Sequence, residues 1–138
     1  MPDYNTVLID ELRSNGGEIA AGPMAGRPLL VLTTKGARTG LKREAVLTFT
    51  RDGNGYVVAG SAGGSPRTPS WVYNLIANPE VGVEANGDAF KARAEVVNEP
   101  DRQRLWDFHV AARPEFAEYP AKARRVIPVI RLNPTSGR

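Results

Sequence analysis

The residues best suited to chemistry lie in one short stretch, Thr33 to Arg43, where four cations and two glycines occur within eleven residues. Glycine permits turns that expose backbone N–H groups, and lysine and arginine add positively charged donors around them. Such a turn can hold an anion such as a phosphate. The spacing from Gly36 to Gly40, with no Lys-Ser or Lys-Thr pair after it, excludes a P-loop. A solvated turn between two strands stays an open alternative.

A second glycine-rich stretch, Gly60 to Thr68, follows an apolar run and leads into a predicted helix. Small residues before a helix leave backbone N–H groups free, and the helix dipole favours negative charge there. We therefore expect an anion or carbonyl site near Ser61, Gly63 and Gly64, with a plain connector as the alternative. Two such loops beside hairpin strands can converge on one cleft.

Aromatic and amide side chains supply the remaining candidates. Trp71 falls on the apolar stripe of its predicted helix, where core packing is the commoner role. Tyr73 and Asn74 lie off that stripe, so we expect them to be able to face a ligand. Phe116 and Tyr119 are three residues apart, and a helical turn brings such a pair to one face. The Tyr119 phenol is then placed either to close over a pocket or to cover the core.

Composition excludes several classes of chemistry. The chain has 138 residues, no cysteine and one histidine, His109. We therefore expect no metal site, no thiol catalysis and no Ser-His-Asp triad. No apolar run approaches the ~20 residues that cross a bilayer, and no secretory leader is visible, so we predict a cytoplasmic protein. The net charge of +3 favours acidic partners, but nucleic-acid binding is a weak alternative because aromatic residues do not alternate with the cations.

Hydrophobic periodicity and turn residues indicate where the elements that carry these residues begin and end. We predict helices over 3–14, 68–77, 98–112 and 114–122, and strands over 29–33, 43–50, 56–60, 81–85, 89–97 and 125–132. The turn at 51–55 predicts a hairpin between the second and third strands. Pro128 within the last strand predicts a sheet edge or a bulge. Hairpins without βαβ alternation favour one antiparallel, barrel-like α+β domain over residues 1–138.

Four pieces of the chain resemble one known family. LVLTTKGARTG at 30–40, followed by Arg43, is similar to the LTTxGRKTGxxR signature of deazaflavin-dependent nitroreductases. The stretch from Gly60 to Pro79 is similar to their SxGGxxxxPxWxxNLxANP motif, and Tyr119 with RVIPVI at 125–130 to their ending. DELRSNGG at 10–17 resembles the N-terminal helix and glycine turn of soluble members. Together these pieces cover most of the chain in the expected order.

The resemblance implies a split β-barrel, mostly antiparallel with helices packed around it. It also implies binding of coenzyme F420, an 8-hydroxy-5-deazaflavin whose phosphodiester and oligoglutamate tail are anionic. The cations and hydroxyl of the 33–43 stretch would hold the tail, and the later residues would lie near the phosphate and ring. The cofactor-binding residues that the resemblance implies are Lys35, Arg38, Thr39, Arg43, Ser61, Gly63, Gly64, Trp71 and Asn74.

The activity that the resemblance implies is reduction of a small-molecule electron acceptor by reduced F420. The acceptor would be a quinone, an activated alkene or a nitroaromatic. Ser61 and Tyr119 are the implied catalytic residues: Ser61 would hydrogen-bond a developing anion, and Tyr119 would donate a proton or cap the pocket. Split barrels of this kind are often dimers, so a homodimer is also open.

Two alternatives to a reductase follow from the same residues. Ala62 stands where many family members have lysine, and Phe116 where some have tyrosine; these departures motivate a non-catalytic carrier that sequesters F420. The other alternative is a split barrel that binds flavin mononucleotide, which is the less favoured cofactor, because a fold does not fix its cofactor.

Overall fold

The structure is a computed structural model that describes residues 4–22 and 24–135. Two short 3₁₀ turns, Ala62–Gly64 and Pro114–Glu118, lie between its longer elements. Those elements are, in chain order, α1 (Tyr4–Ser14), β1 (Leu29–Lys35), β2 (Lys42–Thr48), β3 (Thr50–Asp52), β4 (Gly55–Ala59), α2 (Ser70–Ala77), β5 (Glu80–Ala85), β6 (Asp88–Val96), α3 (Asp101–Ala112), α4 (Tyr119–Ala123) and β7 (Val129–Pro134).

The strands form one seven-stranded antiparallel sheet in the order β2-β1-β5-β6-β7-β4-β3. The strands at its two edges, β2 and β3, are separated in the chain by Phe49 alone. The sheet must therefore curl until its edges meet at this residue, which produces an open barrel. The Phe49 N–H donates to the Pro28 carbonyl at 3.0 Å and fixes the corner. The predicted α+β split barrel is confirmed.

Two details of the strand prediction are wrong. The strand before the 51–55 turn does not pair with β4 as a whole: β2 pairs with β1 along its full length, and only β3 turns back onto β4. The chain changes partner at Phe49, where the barrel closes. Pro128 precedes β7 instead of lying within it, and β7 is a central strand between β6 and β4. A proline outside the strand removes no hydrogen bond from the ladder.

Side chains alternate between the two faces of the strands, and they form one core inside the barrel and two cores outside it. Leu30 and Leu32 of β1 belong to the cluster inside the barrel, whereas Leu29 and Val31 pack outside it against α1. On the other side of the barrel, outward-facing residues of β4 and β7 pack against α3, α4 and the turn before α4. Because β1 is buried on both faces, each of its leucines contributes ~1.5–3 kcal/mol to stability.

Helix α2 closes the barrel beside the first hairpin. Trp71, Val72 and Leu75 place its apolar face in the inner core. The helix begins after Pro69, whose extended backbone makes it the N-cap residue in place of the predicted Thr68. In the described part of the chain, no helix combines the length and the apolar character needed to span a bilayer.

Candidate active site

Two adjoining clefts share Glu44 and Ala45 of β2 and Trp71 of α2. The cationic cleft, of about 320 Å³, also contains Thr34, Arg38, Thr39, Arg43 and Asn74. The aromatic cleft, of about 450 Å³, also contains Met24, Arg27, Ser61, Phe116 and Tyr119. Residues 44–48 all line the aromatic cleft. Because five consecutive residues of the edge strand β2 line this cleft, the cleft runs along the unpaired edge of the strand. Backbone groups of β2 face the cleft there.

The turn between β1 and β2 forms one wall of the cationic cleft. The Gly36 N–H donates to the Leu41 carbonyl at 2.8 Å, and the Gly40 N–H donates to the Gly36 carbonyl at 2.9 Å. Gly40 has a φ of +71°, a conformation that glycine adopts without strain. The Thr39 hydroxyl accepts a hydrogen bond from the Leu41 N–H at 3.2 Å. The turn is thus held from within before any ligand binds.

Donors on this turn are available to an anion. Within residues 4–22 and 24–135, the backbone N–H groups of Arg38 and Thr39 have no acceptor, and the guanidinium groups of Arg38 and Arg43 have no carboxylate partner. Arg43 lies opposite Thr34 in the β1–β2 register, and both side chains line the cleft. Unpaired guanidinium groups beside free amides form the donor set that phosphate and carboxylate groups require.

Lys35 lies outside both clefts. It is exposed at the end of β1, opposite Lys42. Because successive strand residues point to opposite faces, its side chain points away from that of Thr34. The sequence-based assignment of Lys35 to the cofactor therefore stays a prediction without geometric support.

Asn74 ties α2 to the cationic turn. Its side chain is 8% exposed, and its Oδ1 accepts a hydrogen bond from the Ala37 N–H at 3.0 Å. Its Nδ2 donates to the Thr34 Oγ1 at 3.2 Å. Asn74 lines the cationic cleft as predicted, but these two bonds make it a residue that positions the turn.

Ser61 and Gly63 lie at the aromatic cleft, and Gly64 does not. Gly64 is buried with a φ of +88°, and a Cβ there would come within 2.8 Å of Lys122 Cδ. Packing and backbone conformation both require glycine, so Gly64 has a structural role. Ser61 is 5% exposed, and among the described residues its hydroxyl has no hydrogen-bond partner. That hydroxyl is available to a ligand in the cleft.

Arg125 holds the Ser61 loop, a role that the sequence analysis missed. Its Nη2 lies 2.9 Å from the carbonyl oxygen of Gly60 and 3.3 Å from that of Ser61, and its Nε donates to the Ser65 carbonyl at 3.1 Å. Nη2 also lies 3.2 Å from the Arg67 carbonyl, while Nη1 is buried without a partner in the described chain. The sequence marked Arg125 only as the first residue of the RVIPVI segment that resembles the family's ending, and its carbonyl acceptors have no sequence signature.

Aromatic rings connect the cleft to a buried histidine. The rings of Tyr119 and Phe116 are 5.1 Å apart, and those of Phe116 and His109 are 4.5 Å apart at 88°. His109 is 1% exposed, with Nδ1 2.9 Å from Thr50 Oγ1. Burial lowers the pKa of His109 to about 4, so the ring is neutral near pH 7. His109 supports the wall of the cleft through its contact with Phe116.

Arg27 is a second functional candidate that the sequence analysis missed. It precedes β1 in the chain and lines the aromatic cleft. Its Nη1 lies 3.4 Å from Glu115 Oε2, and Arg113 approaches the same oxygen at 2.9 Å. The one signal in the sequence was a cation directly before the first strand, within a loop rich in glycine and proline.

Comparison with known proteins gives consistent results. The sequence profile of the F420H(2)-dependent quinone reductase family matches residues 7–134. F420H(2)-dependent quinone reductase Rv1261c from Mycobacterium tuberculosis is 36% identical over 123 residues, which cover 87% of this chain and 83% of the relative. An F420-H2 dependent reductase, FDR-A, superposes with a TM-score of 0.71 at 35% identity, covering 78% of this chain and 95% of that one.

A further solved structure, described as a domain-swapped dimer, has a TM-score of 0.73 at 32% identity and covers 93% of each chain. The family profile spans nearly all of the described residues, including both glycine-rich loops and the strands that position them. The chain belongs to the F420H(2)-dependent quinone reductase family.

Proposed function

We propose that the protein is a reductase that uses reduced coenzyme F420 to reduce quinones. The observation that carries the proposal is the adjacency of the two clefts. One offers unpaired cations and free amides, and the other offers aromatic side chains and a free hydroxyl, with Trp71 in the wall of both. An anionic redox cofactor and an uncharged acceptor need such a pair of sites side by side.

The cationic cleft fits the anionic part of F420. Arg38 and Arg43 bear guanidinium groups without carboxylate partners in the described chain, and the N–H groups of Arg38 and Thr39 are free. These groups would bind the phosphodiester and the tail carboxylates. Trp71 and the open edge of β2 would orient the ring system at the boundary between the clefts.

In the mechanism, the protein binds the cofactor and the acceptor, orients them, and protonates the acceptor oxygen. Reduced F420, when bound, supplies the hydride. The Ser61 hydroxyl donates a hydrogen bond to the acceptor oxygen as that oxygen becomes negative. Tyr119 donates a proton to that oxygen and, with Phe116 and Met24, excludes water from the aromatic cleft. Arg125 positions Ser61 by holding the carbonyl groups around it.

A quinone is the favoured acceptor because the relatives at 36% identity are named quinone reductases. Activated alkenes and nitroaromatics are alternative electrophiles for the same cleft. A homodimer belongs to the proposal too, since a similar structure is described as a domain-swapped dimer. Light scattering of the purified protein tests that quaternary state. The cytoplasmic location stays a prediction, which cell fractionation tests.

The decisive experiment is a fluorescence titration with F420, followed by oxidation of reduced F420 with menadione. Arg38→Gln and Arg43→Gln each remove a charged hydrogen-bond donor, so we expect F420 binding to weaken ~10–100-fold in each. Arg93→Gln is the matched control, since Arg93 is exposed and lines neither cleft, and we expect less than about a threefold change. Failure of the native protein to bind F420 contradicts the proposal.

The same experiment separates the alternatives. A carrier binds F420 but does not oxidise its reduced form with menadione. A flavin-binding split barrel binds flavin mononucleotide more tightly than F420 in a parallel titration. We expect turnover with menadione and preference for F420, because the cationic cleft offers more donors than a single phosphate needs.

A further inference from the structure

Arg27 gives the aromatic cleft an excess positive charge. Among the described residues, it is the one cation that lines this cleft. Its side chain is 32% exposed, so its charge is only partly screened by solvent. The proposed mechanism assigns it no role, although Ser61 and Tyr119 line the same cleft.

The carboxylate beside Arg27 is already neutralised by another residue. Glu115 accepts hydrogen bonds from Arg113 Nε at 3.1 Å and from Arg113 Nη2 at 2.9 Å, whereas Arg27 Nη1 stays 3.4 Å away. Burial raises the pKa of Glu115, but hydrogen bonds from its own backbone N–H and from Arg113 hold that pKa below its usual range. Two guanidinium groups share one carboxylate, and the more distant one, that of Arg27, carries the uncompensated charge.

Among the described residues, the one carboxylate that lines the aromatic cleft does not cancel this charge. That residue, Glu44, lies 2.6 Å from Arg13 Nη2 and 3.9 Å from Lys42 Nζ. Its negative charge is therefore committed to cations outside the cleft. In the part of the chain that the structure describes, a ligand in the aromatic cleft meets one available charge, and that charge is positive.

We propose that Arg27 determines specificity for the acceptor by binding the oxygen that carries or gains negative charge. The inference rests on the proposed function. A quinone that takes up a hydride from reduced F420 gains two electrons, and one of its oxygens becomes a phenolate until a proton from Tyr119 or water converts it to the hydroquinone. Arg27 stabilises that phenolate, and it favours acceptors that already bear an anionic substituent.

The test compares an anionic and a neutral acceptor, 1,4-naphthoquinone-2-sulfonate and menadione, with reduced F420 held saturating. For Arg27→Gln we expect KM for the sulfonate to rise about tenfold or more, because a charged hydrogen bond is lost. We expect KM for menadione to change less than about threefold, while its kcat falls several-fold since phenolate stabilisation is lost. Arg27→Lys keeps the charge and restores most of the sulfonate preference.

Two further variants distinguish the local effect of the Arg27 charge from the electrostatic field of the whole protein. Glu115→Gln frees Arg27 completely, so we expect KM for the sulfonate to fall below that of the native enzyme. Arg104→Gln makes the same charge change at an exposed position outside both clefts, and we expect it to leave both KM values unchanged. An equal effect of Arg104→Gln and Arg27→Gln on the sulfonate overturns the proposal, as does an unchanged preference in Arg27→Gln.

A binding experiment keeps this inference separate from the proposed function. Quenching of tryptophan fluorescence in the cofactor-free protein measures the affinities for 2-naphthoate and for its neutral methyl ester, because Trp71 lines the cleft. We expect the native protein to prefer the anion and Arg27→Gln to lose that preference; equal preference in both overturns the inference. Absence of turnover with both quinones contradicts the proposed function and not the inference about Arg27. In that case, the binding result alone decides the inference.

Discussion

At the scale of single residues, Ser61 is largely buried, but its hydroxyl is open to the aromatic cleft. The buried side-chain groups left without a partner in the described chain are His109 Nε2 and Arg125 Nη1, so the Ser61 hydroxyl is free to bind a ligand in the cleft. The backbone carbonyl of Ser61 accepts from the Gly64 N–H at 2.8 Å and from Arg125 at 3.3 Å. The backbone is thus fixed while the side chain stays available, the arrangement expected of a group that binds a reacting oxygen.

Replacement of this hydroxyl tests that interpretation. In Ser61→Ala we expect kcat with menadione to fall ~10–100-fold with little change in KM, because the hydrogen bond strengthens as charge develops. Ser65→Ala is the matched control from the same loop: its hydroxyl accepts from the Arg67 N–H, and the residue lines neither cleft. Steady-state kinetics measure both variants. Full activity in Ser61→Ala removes Ser61 from the mechanism.

At the scale of elements, α1 is joined to the sheet by one arginine beside the clefts. Arg13 Nη2 lies 2.6 Å from Glu44 of β2 and 2.8 Å from Glu84 of β5. Hydrogen bonding to Glu84 and Glu44 raises the pKa of Arg13, and its guanidinium group lowers the pKa of Glu84. Asn5 of the same helix donates to the Glu44 carbonyl at 3.3 Å and lines the aromatic cleft. The position of α1 therefore affects how the acceptor binds in the aromatic cleft.

We expect Arg13→Met to loosen α1 without unfolding the barrel. The network is partly exposed, so its loss costs about 1 kcal/mol. Hydrogen exchange measured by mass spectrometry should show faster exchange in α1 and unchanged exchange in β1. KM for menadione should rise several-fold, because α1 borders the aromatic cleft. Arg93→Met is the control, since its pair with Glu80 is exposed and neither residue lines a cleft. Unchanged exchange in α1 contradicts the prediction.

Elements defined by local signals were predictable from the sequence. The strands predicted over 81–85 and 89–97 are present as β5 and β6, and they form a hairpin in which Ala85 lies opposite Asp88. The partner of β2 was mispredicted because the turn at 51–55 was assigned to β2, whereas it joins only β3 and β4. The signal for the correct pairing was local as well: the glycine turn after β1 joins β1 and β2 as a hairpin, with Lys35 opposite Lys42.

The candidate site was likewise predictable where the signal is local in the sequence, and it was missed where the contacts are long-range. Charge and glycine content predicted the cationic turn, and the aromatic and amide positions Trp71 and Asn74 line a cleft as expected. Arg27 and Arg125 were missed because their partners are distant in the chain: Glu115 for Arg27, and the carbonyls near Ser61 for Arg125. Such contacts arise from tertiary structure alone.

At the scale of the whole molecule, the barrel leaves the edge of β2 unpaired, and the candidate site lies along this edge. The sheet closes at Phe49, so β2 keeps a free edge along residues 44–48. Exposed edges promote unwanted pairing between chains, which proteins usually prevent by covering or interrupting them. Here α1, α2 and the 60–67 loop border the edge and form the clefts from it. The site is therefore a consequence of how the barrel closes.

The stability of the whole molecule should depend on the charge of one imidazole. His109 is the only histidine, and burial lowers its pKa to about 4 from 6.5. Nearby Arg113 lowers that pKa further, and Glu115 opposes the shift. The unfolded chain binds the proton first as pH falls, so stability decreases from pH 6.5 downward and the loss is complete below the folded pKa. Glu84 and Glu115 have lowered pKa values, and they lose their stabilising charge only below about pH 4.5.

The window between pH 7 and pH 5 therefore isolates the histidine. His109 has a pKa of 6.5 in the unfolded chain and about 4 in the folded protein. Linkage with these values gives a loss of ~2 kcal/mol in the free energy of unfolding across that window. In His109→Asn, which retains a polar contact to Thr50 but cannot titrate, we expect lower stability at pH 7 and little further loss at pH 5. Urea unfolding at the two pH values measures both proteins. An equal loss in both proteins would show that other groups govern acid stability, because only the native chain carries the imidazole.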